Sequence, residues 1–95
     1  MRYVFMKRAI ITVVGKDTVG IIAKVCTYLS EANVNVLDIS QTIVSGYFNM
    51  MMVVDVSGSS RDFGTIADEL SVVGEGIGCI IHIQSEDIFD MMHRI

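Results

Sequence analysis

Several residue types that constrain a protein's fold or chemistry are scarce in this sequence of 95 residues. It contains no proline and no tryptophan, and 52% of its residues are hydrophobic, a composition that excludes a disordered segment. The longest apolar run, Met50 to Val54, is far shorter than the ~20 residues of a membrane span. The two cysteines, Cys26 and Cys79, form no Cys-x-x-Cys pair, and we expect two free, buried thiols rather than a disulfide.

Positive charge is also scarce. Seven Lys and Arg residues stand against eleven Asp and Glu residues, which gives a net charge of −4. Such a protein repels phosphate backbones and anionic lipid surfaces, so we expect neither a nucleic acid nor a membrane partner. The N-terminus has no secretory signal, and we expect a cytoplasmic protein.

The short chain limits how much apolar surface can be buried. A chain of this length forms one domain and buries only ~60–65% of its surface on folding. With 52% hydrophobic residues, part of the apolar surface is left outside a monomer. We therefore expect a homodimer or a higher homo-oligomer.

The first half of the sequence predicts a strand, a turn and a helix. Residues Ala9–Val14 are apolar on both faces, which favours a central strand. Residues Gly15–Gly20 form a turn in which Asp17 or Thr18 can cap a helix over residues 20–32. The apolar stripe of that helix comprises Ile22, Val25, Cys26, Leu29 and Ala32.

The middle of the sequence predicts a hairpin followed by a second helix. Residues Val36–Val44 alternate between apolar and polar, which is typical of an edge strand with one solvated face, and Ser45-Gly46 is a tight turn. Residues Tyr47–Val56 form a third strand. Ser59, with Asp62, is predicted to cap a helix whose stripe comprises Phe63, Ile66, Ala67, Leu70 and Val73.

The predicted order of elements is β-α-β-β-α-β, because Cys79–Gln84 forms a last strand and Ser85 caps a short terminal helix. This order predicts an α+β, ferredoxin-like fold, with a four-stranded antiparallel sheet, both helices on one face and a short C-terminal helix. We expect a domain over residues 6–84, a helical tail over 85–95 and an extension over 1–5, with Met6 as a possible start. A partner chain is expected to cover Ile10, Met51, Val53 and Ile80.

We find no set of residues for catalysis or for a cofactor. His82 and His93 have no Cys, His or carboxylate at a ligand spacing, so we expect no metal. The glycines of Gly15–Gly20 have the outer spacing of a phosphate-binding loop, but Ile21 and Ile22 replace the Lys and the Ser or Thr that such a loop requires. We expect a protein that is not an enzyme and has no cofactor.

Two segments resemble a known family. Thr-Val-Val-Gly-Lys-Asp-Thr-Val-Gly-Ile-Ile-Ala-Lys-Val at 12–25 and Leu-Ser-Glu-Ala-Asn-Val-Asn-Val at 29–36 are similar to the opening of an ACT domain. The usual form of that opening is Asp-x-Pro-Gly-Leu-Leu, a helix and Gly-x-Asn-Ile. The resemblance covers nearly the whole chain from Met6, and is strongest to the free-standing single-ACT-domain proteins of bacteria.

This resemblance implies a regulatory module that binds an amino acid or another small metabolite where two domains meet. By position, it assigns the turn residues Asp17, Val19, Gly20 and Ile21 and the second-strand residue Asn35 to the ligand site. Free N–H groups at the helix N-terminus suit a carboxylate, and the Asp17 carboxylate or the Asn35 amide suits an ammonium group. Val19 replaces the usual proline, so the turn is less rigid.

Two alternatives stay open at this point. Each of these residues has a purely structural interpretation, in which Gly20 starts the helix, Asp17 caps it and Asn35 pairs within the turn. The protein as a whole is interpreted as a homo-oligomeric sensor of a small effector that acts on a partner enzyme. The alternative is an interaction module without a ligand, which docks on an enzyme or a transporter.

Overall fold

The computed structural model of the protein describes residues 7–16 and 18–92, with the backbone alone at residue 92. The strands are β1 (Arg8–Lys16), β2 (Asn35–Val44), β3 (Tyr47–Asp55) and β4 (Cys79–Ser85). The helices are α1 (Ile21–Glu31), α2 (Phe63–Ile77) and α3 (Glu86–Met92). The predictions made for Met6, Asp17 and His93 concern residues outside the described ranges.

The four strands form one antiparallel sheet in the order β2-β3-β1-β4. The first and third strands are therefore central, and the predicted ferredoxin-like βαββαβ fold with a C-terminal helix is confirmed. The register gives the sheet two distinct ends. Lys16 lies opposite Tyr47 at the end where β1 leads into α1, which we call the entry end. Asn35 lies opposite Asp55, which lies opposite Arg8, at the far end.

Both long helices cover one face of the sheet, and the core lies between them and that face. Alternate residues of the central strands point into it, as the period of a strand requires. Ile11 and Met52 lie directly opposite each other there, and both are completely buried. The core also contains Val13, Val25, Leu29, Val54, Ile66 and Leu70.

The buried stripe of α1 differs from the predicted one. Ile21 and Tyr28 are buried, whereas Ile22, which was predicted to face the core, is 36% exposed. Val25, Leu29 and Ala32 are buried as predicted. Ile21 and Tyr28, four residues before and three residues after Val25, complete the core-facing stripe in place of Ile22. Tyr28 is accommodated because its hydroxyl, at the margin of the core, donates a hydrogen bond to Glu69 Oε1 over 2.7 Å.

The capping predictions are confirmed for the short helix and wrong for the second one. Asp62, and not Ser59, is the N-cap of α2, since its carboxylate accepts a 2.7 Å hydrogen bond from Thr65 N. Ser59 lies in the preceding loop, where its hydroxyl accepts a hydrogen bond from Arg61 N. Ser85 caps α3 as predicted and accepts a hydrogen bond from Ile88 N over 3.3 Å.

The sheet face that carries no helix, which we call the open face, is the one assigned to a partner chain. Ile10 is already buried within the protomer, and Val53 is half-buried. Met51 is 44% exposed and Ile80 is 64% exposed. The open face is therefore partly apolar, and its coverage by a second chain stays a prediction.

The edge strand β2 is more exposed than its alternating sequence predicts. All ten of its residues are exposed. Asp38 is its one charged residue and accepts a hydrogen bond from Ile39 N at a bulge in the strand. The hairpin that follows turns through Ser45 and Gly46, both at positive φ, as expected for a tight turn. The large exposed apolar residues of β2 are Val36, Leu37, Ile39, Ile43 and Val44.

Candidate ligand site

The N-terminus of α1 presents backbone donors that no described side chain caps. Its N-cap residue is Gly20, in the left-handed conformation with φ 91°, and the first helical hydrogen bond runs from Lys24 N to Gly20 O over 2.9 Å. The N–H groups of Ile21, Ile22 and Ala23 therefore have no acceptor within the helix. The first turn contains no acidic residue. The alternative cap at Thr18 is wrong because Gly20 occupies the N-cap position, and Asp17 lies outside the described residues.

The space around this helix end is open. Among the described residues, no heavy atom outside the glycine and its chain neighbours lies within 4 Å of the point where a Cβ at Gly20 would stand. The preceding Val19 is completely exposed. A carboxylate can thus approach the free N–H groups and the positive end of the helix dipole without displacing a described side chain.

Ile21 can contribute only its backbone to such a site. Its side chain is 2% exposed and belongs to the core beneath α1. The resemblance assigned the position to the ligand site without distinguishing the side chain from the N–H group. The structure separates these two parts, because the side chain anchors the helix while the N–H group remains at its open end.

Asn35 lies at the other end of α1. It is the first residue of β2, it is exposed, and it lines a shallow depression of about 280 Å³ beside Asn33 and Cys26. Helix α1 has 11 residues and therefore spans about 16 Å between the two positions. Within one protomer, the structure does not bring Gly20 and Asn35 together, and no single amino acid reaches from one to the other.

A hydrogen-bonded cluster that the sequence analysis did not identify holds α1 against α2. Glu69 Oε1 accepts hydrogen bonds from Tyr28 Oη and, over 3.2 Å, from Arg61 Nη1. The Arg61 guanidinium lies 5.6 Å from the centre of the Tyr28 ring. The pKa of Tyr28 is raised, mainly by burial and to a smaller extent by the hydrogen bond to Glu69. The cluster fixes the helix whose N-terminus is open; its members are too far apart in sequence for a local motif to reveal them.

The described residues contain few groups suited to metal binding or nucleophilic chemistry. In residues 7–16 and 18–92, no three His, Cys, Asp or Glu side chains come close enough to hold a metal ion. Cys26 and Cys79 are free thiols, and burial raises the pKa of Cys79, which keeps its thiol protonated. A membrane span requires a longer and more apolar helix than any in the described part of the chain.

Comparisons with known proteins agree with this architecture. The model of the ACT domain family matches residues 7–84. A UPF0237 protein of Bifidobacterium longum is 63% identical over 90 residues, which make up 95% of this chain and 100% of that protein. The solved structure of an ACT domain protein from Streptococcus pneumoniae has a TM-score of 0.80 and 43% identity, over 90% of this chain and 97% of that one.

A more distant match shows the fold alone. The structure of a formyltetrahydrofolate deformylase from Pseudomonas syringae has a TM-score of 0.78 at 22% identity. It covers 85% of this chain but only 28% of the deformylase chain. The same fold therefore also occurs as a minor part of a larger protein.

Proposed function

The chain belongs to the ACT domain family, a family of regulatory domains, and we propose that it is a homo-oligomeric regulator that binds an amino acid between two protomers. The ligand carboxylate binds the free N–H groups at the N-terminus of α1, and Asn35 of the partner subunit binds the ligand's ammonium group. The observation that supports this proposal most strongly is the N-terminus at Gly20, which no described side chain caps and near which no described side chain lies.

The geometry of the protomer favours a site shared by two copies. Gly20 follows β1 at the entry end of the sheet, whereas Asn35 opens β2 at the far end. If two β2 strands pair antiparallel about a two-fold axis, the far end of one protomer lies beside the entry end of the other. This arrangement brings Asn35 of the partner subunit toward Gly20, a meeting that one protomer alone does not allow.

The chemistry of β2 supports this pairing. Proteins usually protect an edge strand with charges, with proline or by keeping it short. Strand β2 has ten residues, all exposed, with no proline and with Asp38 as its one charge. Pairing with a second copy satisfies the free backbone groups of this edge and buries the apolar residues at Ile39 and Ile43.

We further propose that the protein acts in the cytoplasm on a partner enzyme and catalyses no reaction itself. Cys26 and Cys79 are both free thiols, which is what a reducing compartment favours. The exposed corner at Gly20 suits binding and release of a small effector. A change in pairing when the effector binds would pass the signal to the partner.

A thermal-shift screen of the common amino acids tests the proposal. Ligand at ~100 times its Kd stabilises the native state by ~2.7 kcal/mol, which raises Tm by about 10–20 °C in a domain of this size. We expect at least one amino acid to give a shift of this order. A panel in which every amino acid leaves Tm unchanged would instead support the interaction module without a ligand.

A pair of glycine variants tests whether an amino acid that raises Tm binds at Gly20. Gly20 has φ 91° and Gly78, the C-cap residue of α2, has φ 72°, and neither has a described atom near its Cβ position. Gly20→Val and Gly78→Val therefore impose comparable backbone strain. We expect both to lower the basal Tm, but only Gly20→Val to abolish the ligand-induced shift. A full shift in folded Gly20→Val, checked by circular dichroism, would refute the site.

A further inference from the structure

The second edge of the sheet, formed by β4, differs in its surroundings from β2. Within the described residues, β1 is the one strand that pairs with β4, and residues 79–83 of β4 line a groove at its outer edge. Helix α2 forms the other wall of this groove, which has a volume of about 410 Å³. An edge strand flanked by a helix is the arrangement in which an extended peptide adds a strand to a sheet.

The helical wall of this groove is acidic. Asp68, Ser71 and Glu75 line it, and their spacing of three and four residues places them on one face of α2. None of the described residues that line the groove is Lys or Arg. Neither Asp68 nor Glu75 takes part in either of the two salt bridges among the described residues. Among the described residues, the groove therefore combines the outer edge of residues 79–83, with which no second strand pairs, and negative charge that no Lys or Arg of its lining compensates.

A second copy of the chain fits this edge poorly. Antiparallel pairing of two β4 strands about a two-fold axis places two α2 helices on the same side of the joined sheet. Asp68 and Glu75 of each copy would then approach the same carboxylates of the other, and like charges repel. Strand β2, with Asp38 as its one charge, carries no comparable penalty.

We propose that the outer edge of β4 binds an extended, basic segment of a partner protein as a fifth strand of the sheet. Asp68 and Glu75 are seven residues apart on α2, about 10 Å along its axis. Alternate side chains of a strand are ~6.6–6.8 Å apart on one face. Lys or Arg residues two to four positions apart in the segment would thus reach both carboxylates.

The side chains between those basic residues lie on the opposite face of the added strand. That face continues the open face beside Ile80, which is 64% exposed. Apolar residues at these positions bury part of Ile80, so the fitting partner segment alternates basic and apolar residues. This site lies on the sheet edge opposite β2 and does not depend on the amino-acid site.

The proposal is tested with three synthetic peptides of about eight residues, acetylated and amidated. The first alternates Lys and Val, the second has the same composition in two blocks, and the third alternates Glu and Val. We expect the first peptide alone to shift the backbone amide resonances of β4 and to slow their hydrogen exchange, and added salt to weaken it. Equal effects of the first two peptides, perturbation confined to β2, or no binding at millimolar peptide would overturn the proposal.

Charge-neutralising variants test whether the acidic side chains of α2 bind the peptide. The double variant Asp68→Asn/Glu75→Gln should weaken binding of the alternating Lys-Val peptide by about three- to tenfold at low salt. The control, Glu31→Gln/Asp87→Asn, removes the same charge elsewhere and should leave the Kd unchanged. Equal weakening of binding by the two double variants would show that the interaction depends only on the net charge of the protein, which would contradict the proposal. Protection of the β4 amides that rises with protein concentration, without peptide, would assign this edge to a second copy and contradict the proposal.

Discussion

The first N–H groups of both α1 and α2 have no acceptor within their helix, and the two N-termini differ in the side chains next to them. In α2, the carboxylate of Asp62 accepts a hydrogen bond from Thr65 N, and this bond lowers the pKa of Asp62. In α1, Gly20 has no side chain, and the first turn contains no acid. A side chain next to the helix thus satisfies the first turn of α2, whereas no described side chain does so for the first turn of α1.

The largest expected effect comes from placing a fixed negative charge at the open end. Gly20→Asp puts a carboxylate where the ligand's carboxylate would bind and should abolish a ligand-induced Tm shift on the order of 10 °C. Gly20→Asn is the matched control for shape, since it is uncharged and Asn tolerates the left-handed conformation. We expect the Asn variant to keep a larger part of the shift than the Asp variant. An undiminished shift in Gly20→Asp would contradict the account of α1.

The next largest effect is expected from separating the protomers, which should affect the ligand site at α1 but not the cap of α2. Ile39→Lys places a charge at the centre of β2, which is 41% exposed at this residue in the protomer, and should convert a dimer at micromolar concentration into a monomer. The ligand response at α1 should disappear with the dimer, while Asp62 continues to cap α2. Sedimentation velocity and thermal shift on the same sample measure both. A wild-type protein that sediments as a monomer would overturn the shared site.

Removing the internal cap of α2 should have a moderate effect on stability and none on binding. Asp62→Ala is expected to lower Tm by about 5 °C at neutral pH. Since the folded state lowers the pKa of Asp62, its contribution is full above the ordinary carboxyl pKa near 3.8 and is lost as pH falls through the lowered value. The Tm values of wild type and variant should therefore converge in acid. A Tm difference that stays constant down to pH 2 would argue against the cap.

The smallest effect concerns the residue that was predicted to be that cap. Ser59→Ala removes one hydrogen bond to Arg61 N in the loop before α2 and should change the free energy of unfolding by no more than about 0.5 kcal/mol. Denaturant unfolding of this variant beside Asp62→Ala ranks the two residues directly. A larger loss for Ser59→Ala than for Asp62→Ala would restore the capping box.

The topology could be predicted from the sequence, but the helix ends could be predicted only in part. Apolar residues on both faces marked β1 and β3 as central, and the strand order confirms both positions. Both Ser59 and Asp62 are good capping residues, and the choice depends on where α2 begins, which a sequence pattern fixes only to within a few residues. Tyr28 was missed because its burial depends on Glu69, which lies 41 residues away along the chain.

For the candidate site, the sequence identified the positions, and the structure adds where they lie in the sheet. Gly20 and Asn35 both belong to the segments that resemble an ACT domain, and the helix predicted over residues 20–32 already separates them. The strand register adds that they lie at opposite ends of the sheet, which depends on how β2 pairs with β3. This arrangement supports a site that a second protomer completes.

The most direct test of the shared site is complementation between two defective variants. Gly20→Asp damages the carboxylate half and Asn35→Ala the ammonium half, so each homodimer alone should bind the amino acid poorly. When the two are unfolded together and refolded as an equal mixture, half of the dimers are hybrids, and each hybrid has one intact site. Calorimetry of the mixture should then measure about a quarter of the wild-type number of binding sites per chain, with the wild-type affinity. A mixture that binds no more than its two components would contradict a site built from two protomers.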